Sequence, residues 1–199
     1  MNIYRQLIGA LWIVFIAYWA VAAIGAKRSI GARAWRRGIG LRLAVIAVIA
    51  LVLRHSAVRG ALRNVQTDIS GNAFMGMVGL VLCALGIALA IWARAHLGRN
   101  WGMPMSRKEH PELVTSGPYA FVRHPIYTGI LLAILGSTIG VSVFWVLPFV
   151  LAAGYFIYSA RREEEVLLTQ FPEQYPAYMT RSNMLLPWPF GSARTTDRN

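Results

Sequence analysis

The side chains best suited to chemistry lie in two polar blocks. Residues 94–125 carry Arg94, His96, Arg99, His110, Arg123 and His124, and residues 161–178 carry Arg161, Arg162, Glu163, Glu164, Glu165 and Glu173. A histidine near carboxylates can move a proton, and an arginine can orient an anion. Glu163 to Glu165 directly follow a long apolar run, where acids are costly unless paired or facing water. One of them turned inward toward the histidine-bearing block is the functional reading, and a solvated helix face is the structural one. Arg123-His124-Pro125 divides the same way. Pro125 suits a first helical turn and keeps His124 extended just outside it, which aims both neighbours into the polar region. A snorkelling arginine and an interfacial histidine at a helix start would look alike. Gly117-Pro118-Tyr119 signals a turn, and Tyr127 with Gly129 leaves room for a ligand or a second backbone at the next helix start. Metal chemistry fits poorly, because His96, His110 and His124 are 14 residues apart and Cys83 is the single cysteine. A serine nucleophile elbow, a phosphate loop and a dinucleotide fingerprint are all missing, so hydrolase, kinase and soluble dehydrogenase chemistry lose support.

The elements that must position these residues are membrane helices. Of 199 residues, 56% are hydrophobic and 14% charged, too apolar for an ordinary soluble domain. The reading is an all-α polytopic membrane protein forming one domain over 1–190, with a flexible tail at 191–199. A bilayer core of roughly 30 Å needs about 20 helical residues. Spans are expected at 4–26, 39–53, 73–93, 126–141 and 143–160. The last two divide an apolar stretch, Ile126 to Ser159, that overshoots a single crossing, and the turn belongs near Gly140 to Ser142. After Arg161 an amphipathic helix continues from the last span or folds back against it, with a break near Phe171 where Pro172 and Pro176 intervene. This five-span scheme puts 16 Lys and Arg on one side and four on the other. The positive-inside bias makes 94–125, 161–190 and the C-terminus cytoplasmic and the N-terminus external, with the bacterial-type inner membrane as the expected location. The net charge of +12 then points to anionic lipid headgroups, not nucleic acid, and no obligate protein partner is expected.

The two blocks together also match a known pattern. It comprises Leu97-Gly98-Arg99-Asn100-Trp101, then His110 through Leu113-Val114, Gly117-Pro118-Tyr119, Arg123-His124-Pro125 and Tyr127 to Gly129, then Glu163-Glu164-Glu165-Val166-Leu167 through Phe171 to Tyr175 and Tyr178. In combination these resemble the isoprenylcysteine carboxyl methyltransferase family of integral membrane enzymes, over roughly residues 90–190. The first two spans match by hydropathy alone.

The resemblance implies S-adenosylmethionine as cofactor, held by loop, helix starts and C-terminal segment together. It implies that His110, Leu113, Val114, Gly117, Tyr119, His124, Pro125 and Tyr127 bind the cofactor along with Glu163 and Glu164. It also implies that Arg123, His124, Glu164 and Arg162 serve catalysis. Two positions depart from the pattern: Phe171 precedes Pro172 where glycine is usual, and Ser159 stands where an arginine is often found, so that Arg161 or Arg162 would have to replace it. The expected activity is methyl transfer to a lipophilic acceptor at the cytoplasmic face, either the carboxylate of a prenylcysteine-like compound or a lipid amine. Two rival readings are an NADPH-dependent reductase of the sterol-reductase type, which the short chain disfavours, and a non-catalytic lipid-binding protein.

Overall fold

The computed structural model describes residues 3–24, 29–30, 72–98, 107–108 and 112–187. Helix α1 (Ile3–Ile24) is followed by a two-residue strand, β1 (Ser29–Ile30), and by helix α2 (Ala73–Leu97). A second short strand, β2 (Arg107–Lys108), pairs antiparallel with β1. A 3-10 turn at Gly117–Ala120 leads into helix α3 (Pro125–Gly140), and a second at Val143–Trp145 leads into α4 (Val146–Gln170) and α5 (Gln174–Arg181). The described residues are all-α apart from this short strand pair. The expected crossing at 39–53 and the tail at 191–199 lie outside the described residues.

Among the described residues, three helices are long and apolar enough to cross a membrane, over Ile3–Ala22, Ala73–Leu97 and Val143–Gln170. Helix α3, with 16 residues, spans only about 24 Å and forms the shorter arm of a hairpin with α4. The hairpin turn falls at Val141 and Ser142, as the glycine and serine content there predicts, and Ser142 caps the next turn by accepting from the Phe144 amide at 3.2 Å. Ile13, Val14, Ile16 and Val21 on α1 are exposed. On a soluble protein they would form an adhesive patch, but in a bilayer they face lipid. The chain is thus an integral membrane protein.

The helix ends correct one expectation and decide between two others. Helix α2 starts at an Asn72 cap, whose Oδ1 accepts from the Phe74 amide at 2.9 Å, and runs to Leu97, four residues past the expected end at 93. Arg94 and His96 are therefore helical and not loop residues. Arg94 is buried, not snorkelling: its guanidinium donates to the Gly98 carbonyl at 2.8 Å and to the Ala22 carbonyl at the end of α1. Helix α4 likewise continues through Arg161 to Glu165 without a break, so the last span and the expected amphipathic helix are one element up to Gln170. It stops at Phe171, because Pro172 disfavours helix just before it. Pro176 is accommodated in the first turn of α5, where an amide donor is not needed.

Helices α1 and α2 run parallel: Tyr4 packs on Gly76 at one end, and Ala22 meets Arg94 at the other. Helices α2 and α3 are antiparallel and much closer. A Cβ on Gly86 would come 2.5 Å from the Gly129 carbonyl oxygen, and one on Gly136 would come 2.6 Å from the Gly79 carbonyl oxygen. With Cys83, Ala90 and Ala133 these glycines make a small-residue stripe that lets the two backbones touch, the usual way membrane helices gain packing when lipid supplies no hydrophobic drive. Cys83 is fully buried in this contact, in keeping with a packing role. Helix α1 completes the bundle, with Trp12 Nε1 donating to Ser137 Oγ at 3.0 Å and its ring stacked on Trp145.

This packing makes Gly86→Ala destabilising. It should lower the thermal unfolding midpoint in detergent by an amount equivalent to about 1–3 kcal/mol, since the added methyl meets backbone that cannot swing aside. Gly154→Ala, with nothing within 4 Å of its added methyl, is the control and should be neutral or slightly stabilising. Equal behaviour of the two variants would rule out the close α2–α3 contact.

Candidate active site

The two polar blocks converge at the end of the bundle where α2 and α4 finish and α3 begins. His124 is the residue before α3, and its side chain does not cap the helix, which frees the ring to turn inward. The backbone is pinned from the other side by the C-terminal segment: the Arg123 amide donates to Asn183 O at 2.8 Å, and the His124 amide to Met184 O at 3.1 Å. One turn on, Thr128 Oγ1 donates to Leu185 O at 2.6 Å. The strand-like tie of Val122 to Asn183 continues this seam.

Helix α4 brings in the acids. Glu164 is buried and accepts from Arg123 Nε at 2.7 Å. Arg123 Nη1 turns the other way, to the carbonyls of Ser182 and Met179. The guanidinium thereby joins the loop, α4 and the end of α5 in one contact. Glu163 accepts from the Tyr127 hydroxyl at 2.5 Å. His124 lies between the two acids, with Nδ1 3.6 Å from Glu163 and Nε2 3.4 Å from Glu164. Neither distance is a close hydrogen bond, and Nε2 is buried without an aligned partner. Burial works against the imidazolium, yet the two carboxylates outweigh it and hold the His124 pKa above its ordinary value.

Aromatic rings surround this cluster. His124 stacks on Tyr127 with centroids 5.5 Å apart, and Tyr127 stacks on Phe156 at 4.6 Å. The Tyr178 hydroxyl donates to the Tyr119 carbonyl at 2.5 Å, tying α5 to the 3-10 turn. Burial pushes the Tyr178 phenol up to about 12, so it stays a neutral donor. Gly117 has φ +60° and lies against the His96 ring, where a Cβ would be 2.7 Å from Cε1. That glycine therefore answers both to the turn and to a close approach. Leu113 and Val114 are half-buried in the stretch just before it.

Of the candidate residues, Arg123, His124, Tyr127, Glu163 and Glu164 meet in one cluster, with Pro125 buried beneath His124. Gly117 and Tyr119 form the adjoining turn. Arg162 is not brought there. It is exposed, pairs with Glu165 at 2.9 Å and lies over the Tyr158 ring. His110 lies outside the described residues. Sequence reasoning did not select Tyr175, Ser182, Asn183 or Met184 for the site. The first had a signal, its place in the tyrosine pattern after Glu164, but Ser182 and Met184 contribute backbone carbonyls, which any residue type could supply, and Asn183 adds its side-chain amide to such a carbonyl. Among the described residues no group of three or more His, Cys, Asp or Glu could hold a metal ion.

A family model described as phospholipid methyltransferase matches residues 74–174, from the second helix through the acidic cluster to the start of α5. The chain belongs to the phospholipid methyltransferase family. The match covers the first polar block and the second as far as residue 174, and ends before Tyr175, Tyr178 and the C-terminal seam. Among relatives of this family member, the cobalt-zinc-cadmium resistance protein CzcN of Cupriavidus metallidurans is 35% identical over 114 residues, 54% of this chain and 49% of that protein. Methanethiol S-methyltransferase 1 of Bradyrhizobium diazoefficiens is 34% identical over 88 residues, 39% of this chain and 27% of that protein. The nickel-cobalt-cadmium resistance protein NccN of Alcaligenes xylosoxydans xylosoxydans is 28% identical over 170 residues, 83% of this chain and 71% of its own. The chain thus spans about half of CzcN and a smaller part of the methanethiol protein.

The raised pKa of His124 sets a direction for pH dependence in this family member. Its protonation contributes stability that is fully present below the unfolded pKa of about 6.5 and is lost as pH rises through the higher folded value. Unfolding midpoints in detergent should therefore fall across that alkaline-going window, and His124→Asn should flatten this component. A difference between the two proteins that stays constant with pH would remove the imidazolium from the cluster.

Proposed function

We propose that this membrane protein transfers a methyl group from S-adenosylmethionine to a lipophilic acceptor at the cytoplasmic face. The observation that carries the reading is the meeting of His124, Tyr127, Glu163, Glu164 and Arg123 in one buried cluster within a chain of the phospholipid methyltransferase family. The donor set fits the cofactor. His124 Nε2, Tyr175 Oη and Asn183 Nδ2 are buried polar atoms without partners, and a ligand with carboxylate, ammonium, hydroxyl and adenine groups is suited to such a set. His124, Tyr127, Glu163 and Glu164 would hold it, with Leu113, Val114, Gly117, Tyr119 and Pro125 as the surrounding wall and His110 expected beside them. When bound, the cofactor supplies a methyl carbon activated by a positive sulfur.

The chain's own contribution is placement. In-line displacement needs the acceptor atom about 3 to 3.5 Å from the methyl carbon, opposite the sulfur. The Arg123–Glu164 contact and the hydrogen-bonded seam at 183–185 provide the rigid frame for that alignment. A carboxylate acceptor needs no base. An amine or thiol acceptor must lose a proton, and His124 in its neutral form can take it, the raised pKa making it a stronger base. Glu164 is less suited, because Arg123 already engages it. The acceptors implied by the first resemblance are a prenylcysteine-like carboxylate and a lipid amine, and the methanethiol methyltransferases add a thiol.

Calorimetry of the detergent-solubilised chain with S-adenosylhomocysteine tests the reading, and saturable binding is expected. His124→Ala should reduce methyl transfer by about 100-fold or more while the helical circular dichroism is retained. Absence of binding by a folded protein would overturn the assignment.

A further inference from the structure

Ser159 lies in α4 between Phe156 and Glu163, fully buried, with no hydrogen-bond partner for its Oγ. Other helical hydroxyls in this protein behave differently. Ser137, Thr138 and Thr169 each donate to the carbonyl four residues back, at 2.9, 3.0 and 3.0 Å, and Ser182, just past the end of α5, does so at 2.7 Å. A buried hydroxyl that makes no such bond is held at an energetic loss unless something else meets it.

Phe156, Ser159 and Glu163 recur at i, i+3 and i+7, along one face of α4. Opposite this face on α3 stand Tyr127, stacked on Phe156 and bonded to Glu163, and His124 beyond it. Within two helical turns the α3–α4 seam passes from ring surface through an unpartnered hydroxyl to the candidate reaction centre. No positive charge among the described residues of α4 serves this stretch. Arg161 and Arg162 are on the exposed side, and Arg123 is engaged with Glu164 and the carbonyls of Met179 and Ser182. A carboxylate buried beside Ser159 would thus have no arginine to pair with, and the nearby His124 is already placed between Glu163 and Glu164, so a third negative charge there is unfavourable.

We propose that the seam at Phe156 and Ser159 is the acceptor subsite and that it selects an uncharged hydrophobic acceptor over a carboxylate. The inference rests on the methyl-transfer reading and narrows its substrate class. The rings receive the apolar body of the acceptor, and Ser159 Oγ meets its polar atom. With an alkanethiol, a sulfur lone pair forms the new S–CH3 bond as the donor's sulfonium S–CH3 bond breaks. That electron pair stays on the donor sulfur, and the thiol proton passes to neutral His124.

The test uses the full chain in detergent with S-adenosylmethionine and two probes, hexanethiol and N-acetyl-farnesylcysteine. The thiol should be favoured in kcat/KM by at least about tenfold. Phe156→Ala should raise the thiol KM about tenfold, with kcat and S-adenosylhomocysteine affinity nearly unchanged, and Phe156→Leu is the milder variant should the alanine protein misfold. Ser159→Ala should raise the same KM severalfold while leaving the protein at least as stable, which a structural role for the hydroxyl would not do. Preference for the carboxylate, or an unchanged KM in the Phe156 and Ser159 variants, would overturn the subsite while leaving methyl transfer intact. Loss of S-adenosylhomocysteine binding and of all methylation in the unmodified protein would overturn both.

Discussion

A carboxylate that is buried must be paired, and the placement of Glu164 turns on that constraint. It sits at the point where α4 leaves its apolar stretch, too enclosed to be satisfied by water. Arg123 meets it from a loop 41 residues earlier, and His124 adds a second cationic edge. Because Arg123 also donates to carbonyls at the end of α5, one guanidinium joins a loop and two helices. Removing either partner would leave the other charge stranded, so the pair enforces the local architecture even if its net contribution to stability is small.

The same geometry requires that α3 begin in a defined place, and the glycine contact with α2 provides it. Helix α3 is short and its outer surface is lipid-like, so nothing about its composition sets its depth or rotation. Backbone contact at Gly86–Gly129 and Gly79–Gly136 sets both, because only one alignment brings the small residues opposite one another. Tyr127 and His124 then project from the first turn of a helix whose position is held by its neighbour, and the hydrogen-bonded strip at 183–185 closes over them. A methyl transfer that depends on alignment more than on proton chemistry is well served by such a frame.

Much of this was legible in the residues. Apolar length marked α1, α2 and the α3–α4 hairpin, since a bilayer imposes a minimum run that composition cannot disguise. Pro125 marked the start of α3 and Pro172 the end of α4, because a missing amide donor has the same local consequence in any fold. The paired blocks marked which residues would matter, but Arg162, offered by the resemblance in place of the arginine usual at Ser159, is not among those that meet. Helical rotation carries it to the opposite face, where it pairs with Glu165.

What the sequence determined by itself is the set of strong local choices: membrane-length helices, their punctuation, and an unusual concentration of histidine, arginine and glutamate between them. What only tertiary structure decided is which acid turns inward, that Arg94 latches the end of α1 instead of reaching for headgroups, and that backbone carbonyls of residues 182–185 complete the cluster. The physical reason is that local choices depend on side-chain type and spacing along the chain, which the sequence displays. Pairing of a buried charge and closure by backbone groups depend on distances between segments, and those exist only once the helices have packed.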